Sequence, residues 1–293
     1  MSVLDPARVE AAADADAPLS RHTGERRRHG RAPTPAHTRG AALPVVGPAV
    51  HLETARGNLL LGSLPETELI ELLPRLERVA LLAGRDLYSP EADIEHVYFP
   101  LSGLCGLVAR SGSTAVDVGL IGFDGLVGLP IYLGAPTGPL SATVHLAGEA
   151  LRLDARAFHA GTEQLPGLDR VLRRYVQWTY AGMGVCVACA RLHEVQERCA
   201  RWLLMAHDRV RADRFRLTQQ YLAQLLGVRR PTVSVAAGLL QAAGLIRSAR
   251  GLITIRDRAG LEQAACACYA SVTDEYARLF GRSLRPPTRP PPA

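Results

Sequence analysis

The spacing of apolar and polar residues changes several times along this chain of 293 residues. Between about residues 85 and 154, short runs rich in β-branched and aromatic residues alternate with clusters of Gly and Pro. The clearest runs are residues 96–99, 115–121 and 142–146. Many short strands separated by turn residues in this way predict a small antiparallel barrel or roll.

A helical pattern follows, from about residue 168 to residue 209. Apolar or small residues recur along its first part in alternating steps of four and three: Val171, Tyr175, Trp178, Gly182, Val185, Cys189 and Leu192. This spacing is typical of a seam between two helices. A second apolar face, with Leu168, Leu172 and Met183, could cover the roll. We therefore expect the seam to hold a dimer, and a helix buried against its own roll is the alternative.

Residues 218–243 have the pattern of two short helices joined by a sharp turn. Thr218 is a candidate N-cap of the first helix, and Gly227 permits the turn that ends it. Pro231 would lie in the first turn of the second helix, where its missing N–H is tolerated. Residues 244–248 and 252–255 then predict a β-hairpin. A helix-turn-helix followed by a hairpin is a winged helix, whereas a generic helix pair would lack the hairpin.

Charge supports a nucleic-acid-binding surface in this segment. The chain has 34 basic and 28 acidic residues, all the basic ones being arginine, a bias that the codon usage of a GC-rich genome would also produce. Between residues 214 and 256, however, no acidic residue accompanies the arginines, which are Arg214, Arg216, Arg229, Arg230, Arg247, Arg250 and Arg256. A stretch of one sign in an apolar-rich segment is typical of a surface that faces phosphates.

Several polar residues should lie outside, near the start of the second helix, where a recognition helix meets base edges: Arg229, Arg230, Thr232 and Ser234. We expect Arg230 to read a guanine through its O6 and N7 atoms. Arg229, in the turn, and Arg250, at the tip of the hairpin, are better placed for phosphate contacts.

The order of roll, long helix, the sequence LTQQYLAQLLGVRRPTVSV from residue 217, and a wing resembles the Crp/Fnr superfamily of bacterial regulators, from about residue 58 to 270. The resemblance implies a homodimer, a jelly-roll sensor of the cyclic-nucleotide-binding fold, and a double-stranded DNA operator as ligand. It also implies that Arg230 reads a base and that Thr218 and Gln220 contact the phosphate backbone. Because Pro231 and Val235 replace a base-reading Glu and Arg of cyclic-AMP-dependent members, we expect a different operator.

The resemblance also indicates a degenerate sensor pocket. Family members hold the ribose with a Glu and the cyclic phosphate with an Arg, and Leu126 and Leu140 occupy these positions here. A phosphate without its cationic partner would carry an uncompensated desolvation cost. We expect the roll to bind something else or nothing, so that regulation does not depend on cyclic AMP, and we expect no cofactor.

The cysteines are a second candidate sensor. Cys186 and Cys189 form a Cys-x-x-Cys pair that could bind metal or change redox state, and Cys199 follows on the next helix. Cys266 and Cys268 lie near the end of the chain. Iron–sulfur members of the superfamily carry an N-terminal cysteine cluster, whereas residues 1–104 contain no cysteine. We therefore expect buried, inert thiols and no metal site.

Other function classes lack their motifs. The sequence has no glycine-rich phosphate loop, no His-Glu-x-x-His and no Gly-x-Ser-x-Gly, so we do not expect an enzyme. The longest uncharged run, residues 125–148, is interrupted by prolines and cannot be one membrane helix. We expect a cytoplasmic protein, with RNA polymerase as a candidate partner. A protein-interaction module with a vestigial DNA-binding domain is the alternative function.

The sequence thus predicts an α+β chain: a disordered tail over residues 1–45, an antiparallel jelly-roll sensor domain over 58–165 and a dimerisation helix over 166–193. A winged helix-turn-helix domain over 194–270 follows, and residues 271–293 should be a helix end and a Pro-rich tail.

Overall fold

The computed structural model describes residues 43–47, 49–112 and 114–286 of the chain. The tail expected over residues 1–45 and the Pro-rich end therefore lie mostly outside the described residues. Leu43 and Val46 do not fit a tail. The backbone N–H of Val46 donates to Arg78 O at 2.8 Å, and Leu43 is buried. The folded part thus begins before residue 45, because this segment pairs with the first strand of the roll.

Seven strands form the roll in two antiparallel sheets. One sheet has the order β1–β7–β3 and the other the order β2–β6–β4–β5. The strands are β1 (Glu77–Leu81), β2 (Asp86–Tyr88), β3 (His96–Pro100), β4 (Leu104–Ser111), β5 (Thr114–Ile121), β6 (Ser141–Leu146) and β7 (Gly148–Asp154). Short helices flank them: α1 (Leu52–Arg56), α2 (Glu66–Leu72), α3 (Leu129–Tyr132) and α4 (Ala155–Gln164). The antiparallel roll expected from the short apolar runs is confirmed.

The long helix α5 (Pro166–Leu192) has 27 residues and runs from the roll to the next domain. Pro166 is in its first turn, and the carboxylate of Glu68 accepts hydrogen bonds from the N–H groups of Gly167 and Leu168. Tyr175 is buried against the roll and donates its hydroxyl to Leu126 O at 3.3 Å. The first half of α5 is therefore held by its own chain.

The C-terminal domain contains four helices, α6 (Val195–Val210), α7 (Gln219–Leu226), α8 (Arg230–Ala242) and α9 (Arg258–Ala264). Its strands β8 (Arg214–Arg216), β9 (Ile246–Ala249) and β10 (Leu252–Ile255) form a sheet in the order β8–β10–β9. Glu194 and Glu197 form a capping box at the start of α6. This arrangement is the winged helix-turn-helix expected from the sequence, with β8 as an additional strand.

A further helix, α10 (Cys268–Phe280), returns to pack along α5. The indole Nε1 of Trp178 donates to Val272 O at 3.1 Å, and the ring of Tyr276 meets the indole edge-on at 5.3 Å. Residues 271–280, expected from the sequence as the end of a helix, are part of α10 and of the folded core.

The packing of α10 corrects the predicted dimer seam. Four of its members are buried inside the chain, namely Val171, Tyr175, Trp178 and Cys189. An apolar repeat of three and four residues stabilises any helix pair, and here the partner of α5 is a helix of the same chain. These four side chains are therefore covered within the chain, whereas Leu192 at the end of the repeat is 76% exposed.

A buried ion pair joins the roll to α6. Arg209 Nη2 lies 2.7 Å from Asp124 Oδ2, and the two side chains are 1% and 0% exposed. Asp124 Oδ1 also accepts from the N–H of Gly122, and a Cβ on Gly122 would lie 2.8 Å from the Arg209 side chain. The loop between β5 and α3 is thus shaped around one arginine.

None of the helices in the described ranges has the length and apolar character that a membrane span needs.

We predict that Arg209→Met destabilises the protein by about 3–5 kcal/mol, because Asp124 would remain buried without its partner. Urea unfolding followed by tryptophan fluorescence measures the loss. The control is Arg278→Ala, which removes an exposed pair with Glu275 and should cost no more than about 1 kcal/mol. Equal losses for the two variants would contradict a role for the buried pair.

Candidate nucleic-acid interface

The helix α8 presents a polar start and a buried flank. Arg229 precedes the helix with extended backbone, and Pro231 lies in the first turn. Four small or apolar side chains are buried on the inner face: Val233, Ala236, Ala237 and Leu240. Arg229, Arg230 and Thr232 are consequently exposed, as expected from the sequence.

The preceding helix α7 is capped as the sequence predicts. Thr218 Oγ1 accepts a hydrogen bond from the N–H of Tyr221 at 3.1 Å, and Gly227 ends the helix with a φ of 63°. Gln220 is exposed beside Thr218. The two residues assigned to phosphate contacts thus share one accessible helix start.

Ser234 is engaged within the protein. Its hydroxyl donates to Gln219 Oε1 at 2.7 Å and lies 3.1 Å from Arg230 O, so it joins α7 to α8. A direct base contact by Ser234 would have to replace this bridge. Val235 and Leu239 instead form an apolar strip on the outer face of α8, with exposed fractions of 65% and 51%. Neither residue was expected from the sequence to contact DNA. Both lie on the helix face of Thr232, because they follow it by about one and two turns.

The wing ends in a two-residue turn. Arg250 and Gly251 both have positive φ, 50° and 74°, which is the backbone of a type I′ hairpin turn. Gly251 O accepts from the N–H of Leu217, so the tip of the wing is tied to the start of the helix-turn-helix. Arg250 is exposed at that tip, where the sequence placed it.

The seven arginines between residues 214 and 256 are all exposed, and we call them together the arginine face. Among the described residues, none of the seven forms a salt bridge. The nearest acids in sequence are occupied: Asp213 contacts His207, and Asp257 caps α9. Exposed cations without acidic partners attract a polyanion.

The opposite side of α7 rests on the roll. Asp117 of β5 and His145 of β6 form a buried pair at 2.9 Å, and the ring of Tyr221 meets His145 edge-on at 5.0 Å. Burial raises the pKa of Asp117, and His145 opposes this shift. A Cβ on Gly227 would lie 3.0 Å from Val116. No local pattern indicated this contact, because its members are separated by about a hundred residues of sequence.

Leu126 and Leu140 line the cavity beneath α3. The cavity has a volume of about 150 Å³, and its other walls include Tyr88, Leu107, Ile121, Leu129, Tyr175 and Met183. Small-molecule sites usually occupy roughly 300–1,000 Å³ and include a few polar groups aimed at the ligand. No charged side chain lines this cavity in the described part of the roll.

The cysteines separate into two groups. Burial raises the pKa of Cys199 to about 12, as expected of an inert thiol. Cys186 and Cys189 do not form a site together. Cys189 instead meets Cys266, Cys268 and His193, and its hydrogen bond with Cys266 lowers the pKa of the Cys189 thiol. The surroundings of this second group are therefore not those expected of inert thiols.

Sequence comparison assigns residues 197–264 to a family described as the Crp-like helix-turn-helix domain. No curated protein matches the chain. Solved structures with a similar fold include the c-di-GMP-responsive global regulator CLP of Xanthomonas campestris, at 16% identity over 65% of this chain and 99% of that one, with a TM-score of 0.53. FixK2 of Bradyrhizobium japonicum matches at 17% identity over 66% and 98% of the two chains, with a TM-score of 0.56.

A Crp/Fnr-family transcriptional regulator of Thermus thermophilus is similar as well, at 22% identity over 64% and 98% of the chains, with a TM-score of 0.53. At these identities the structures establish the fold, a roll followed by a helix-turn-helix domain. With the matched domain and the arginine face, that fold defines a DNA-binding transcription regulator. Residues 197–264 thus match the Crp-like helix-turn-helix domain family, and the fold as a whole is similar to that of Crp/Fnr-family regulators.

Proposed function

We propose that the chain regulates transcription as a homodimer that binds an operator through α8 and does not use a cyclic nucleotide as effector. The arginine face, which includes Arg229 and Arg230 at the exposed start of α8, carries this proposal. A dimer reads two half-sites about one helical turn apart, whereas one recognition helix contacts too few base pairs for useful specificity. We place this activity in the cytoplasm, with RNA polymerase as a partner.

Two adjacent arginines should divide affinity and specificity between them. Arg230 begins α8 on the face opposite Val233, so its guanidinium can form a bidentate contact with one guanine. Arg229 lies before the first turn, and Arg250 lies at the tip of the wing; both are placed for phosphate contacts. Thr218 and Gln220 would contact the backbone beside them.

We predict that Arg230→Ala costs roughly 1–3 kcal/mol on the cognate operator and relaxes the preference at one base pair in each half-site. Arg229→Ala and Arg250→Ala should weaken cognate and random duplexes alike and make the salt dependence shallower. Selection of bound genomic fragments identifies the operator. Fluorescence anisotropy on cognate, single-mismatch and random duplexes at several salt concentrations then measures each effect.

The Arg229→Ala variant is the matched control, since it removes the same charge one residue away. An equal loss on all three duplexes for Arg230→Ala would overturn its role in base reading. The recognition surface would then have to lie at Thr232 and the apolar strip of Val235 and Leu239, which could contact thymine methyl groups.

The second half of α5 offers a surface for the dimer. Tyr180, Gly184 and Val187 follow one another in steps of four and three, and we call them the outer seam. Tyr180 is 77% exposed and Val187 is 68% exposed, while a Cβ built on Gly184 would meet no described atom within 4 Å beyond its own stretch of helix. A glycine between two exposed apolar residues lets a second helix approach closely.

We predict that Val187→Glu shifts the protein from dimer to monomer and weakens operator binding, because the seam would bury an unpaired charge. Sedimentation equilibrium at micromolar concentration gives the mass, and anisotropy gives the affinity. Ile70→Glu is the control: Ile70 is 51% exposed on α2, whose Glu68 accepts a hydrogen bond at the opposite end of α5. A wild-type chain that stays monomeric on operator DNA would contradict the dimer.

The apolar cavity under α3 supports independence from cyclic nucleotides. A cyclic phosphate there would have leucines where a cation is needed, and its desolvation would be uncompensated. We predict no binding of cyclic AMP or cyclic GMP by calorimetric titration, and no change in thermal stability at millimolar nucleotide. A dissociation constant in the low micromolar range for either nucleotide would contradict this prediction.

A further inference from the structure

Four metal-ligating side chains meet where α5 ends and α10 begins. Cys189 is in the last turn of α5, His193 follows that helix directly, and Cys266 and Cys268 lie between α9 and the first turn of α10. The ligand atoms of the four residues all lie within 4.8 Å of one another. Cys189 Sγ is 3.5 Å from Cys266 Sγ, and Cys268 Sγ is 3.5 Å from His193 Nδ1.

We propose that these four side chains bind one zinc ion. Three thiolates and one imidazole in tetrahedral arrangement are a usual ligand set of structural zinc. A zinc–sulfur distance of about 2.3 Å places neighbouring sulfurs of a tetrahedron roughly 3.8 Å apart. The two measured separations are close to this spacing, so the ligands need only small movements to close around the ion. Their number leaves no open position, which is typical of a structural rather than a catalytic site.

A buried arginine supplies independent support. Arg201 is only 7% exposed, and its Nε has no hydrogen-bond partner among the described residues. Among the described residues, its two terminal nitrogens have sulfur atoms as hydrogen-bond partners, those of Met205 and Cys186. A buried cation without a carboxylate partner needs negative charge nearby. Zinc with three thiolates and a neutral imidazole carries one net negative charge, and Cys186, which Arg201 contacts, lies three residues before Cys189 on α5.

The position of the site gives the ion a mechanical role. Cys189 and Cys266 are 77 residues apart, and the whole winged domain from α6 to α9 lies between them. Zinc would close this segment into a loop at its base, which limits the freedom of the unfolded chain. It would also fix the DNA-binding domain to the end of α5. This consequence for DNA binding rests on the proposed function, whereas the metal site itself does not.

A disulfide between Cys189 and Cys266 is the competing chemistry. It would form a sulfur–sulfur bond of about 2.05 Å, with two protons released and two electrons passed to an oxidant. Such a bond would leave Cys268 and His193 beside it without a function. The convergence of all four donors favours the ion.

The full-length protein is purified under reducing conditions, freed of metal with a chelator and dialysed against zinc or cobalt. We expect one zinc per chain by plasma mass spectrometry and, with cobalt, the visible absorption bands of a tetrahedral thiolate site. Cys266→Ser should weaken zinc binding by more than about 100-fold, since loss of a direct ligand exceeds the effect of an outer one. The matched control is Cys186→Ser, which also removes one thiol from this region and should retain the ion.

His193→Cys keeps the proposal testable if Cys266→Ser fails to fold. It preserves four ligands, so the variant should still hold one zinc, and its cobalt spectrum should change because a fourth thiolate replaces the imidazole. An unchanged cobalt spectrum would show that His193 is not a ligand. A reduced wild-type chain that retains no zinc after dialysis would overturn the site, as would loss of zinc from Cys186→Ser equal to that from Cys266→Ser. Visible absorption from a bound iron–sulfur cluster would likewise overturn it.

Operator affinity is then measured for the zinc-loaded and metal-free protein. We expect chelation to weaken binding of the wild type and to leave the already zinc-deficient Cys266→Ser variant unchanged. Equal affinities with and without zinc would overturn the mechanical role of the ion. The metal content of the protein would still test whether the zinc site exists. Failure to bind any DNA in either form would count against the proposed function instead.

Discussion

The position of the DNA-binding domain depends on one buried ion pair, Arg209 with Asp124. A guanidinium and a carboxylate without access to water must be paired, since either alone would be strongly destabilising. Because Arg209 belongs to α6 and Asp124 to the loop after β5, their pairing fixes the first helix of the C-terminal domain against the roll. Tyr276 adds a third element by donating to the backbone oxygen of Asp124 at 3.2 Å. Roll, DNA-binding domain and C-terminal helix therefore meet at one loop.

The same loop is filled by side chains of the chain itself. A Cβ on Gly125 would collide with the Tyr175 hydroxyl, and Leu126 is completely buried. The chain uses the segment as a packing surface for α5, α6 and α10. The roll retains its fold although its cavity lacks the charged anchors, because the strands depend on apolar burial rather than on a ligand.

The helix α5 serves different partners along its length. Its first half is covered by the roll and α10, its outer seam faces solvent, and its last turn carries Cys189 of the proposed zinc site. A signal at either end of such a rigid element can alter the relation between the roll and the winged domain. Arg201 and Arg209 lie on the same helix α6, so this helix contacts α5 through Cys186 and the roll through the buried ion pair.

The sequence by itself determined the elements whose evidence is local. The strand-rich roll, the long helix, the cap at Thr218, the turn at Gly227 and the exposed arginines follow from periodicity, capping and charge, which act over a few residues. Tertiary structure decided which partner each apolar face meets. The repeat along α5 fits a helix of the same chain as well as one of a second chain, and only the return of α10 distinguishes them. Cys189 and Cys266 likewise meet because α10 folds back. Their contact could not be predicted from the sequence, because 77 residues separate them.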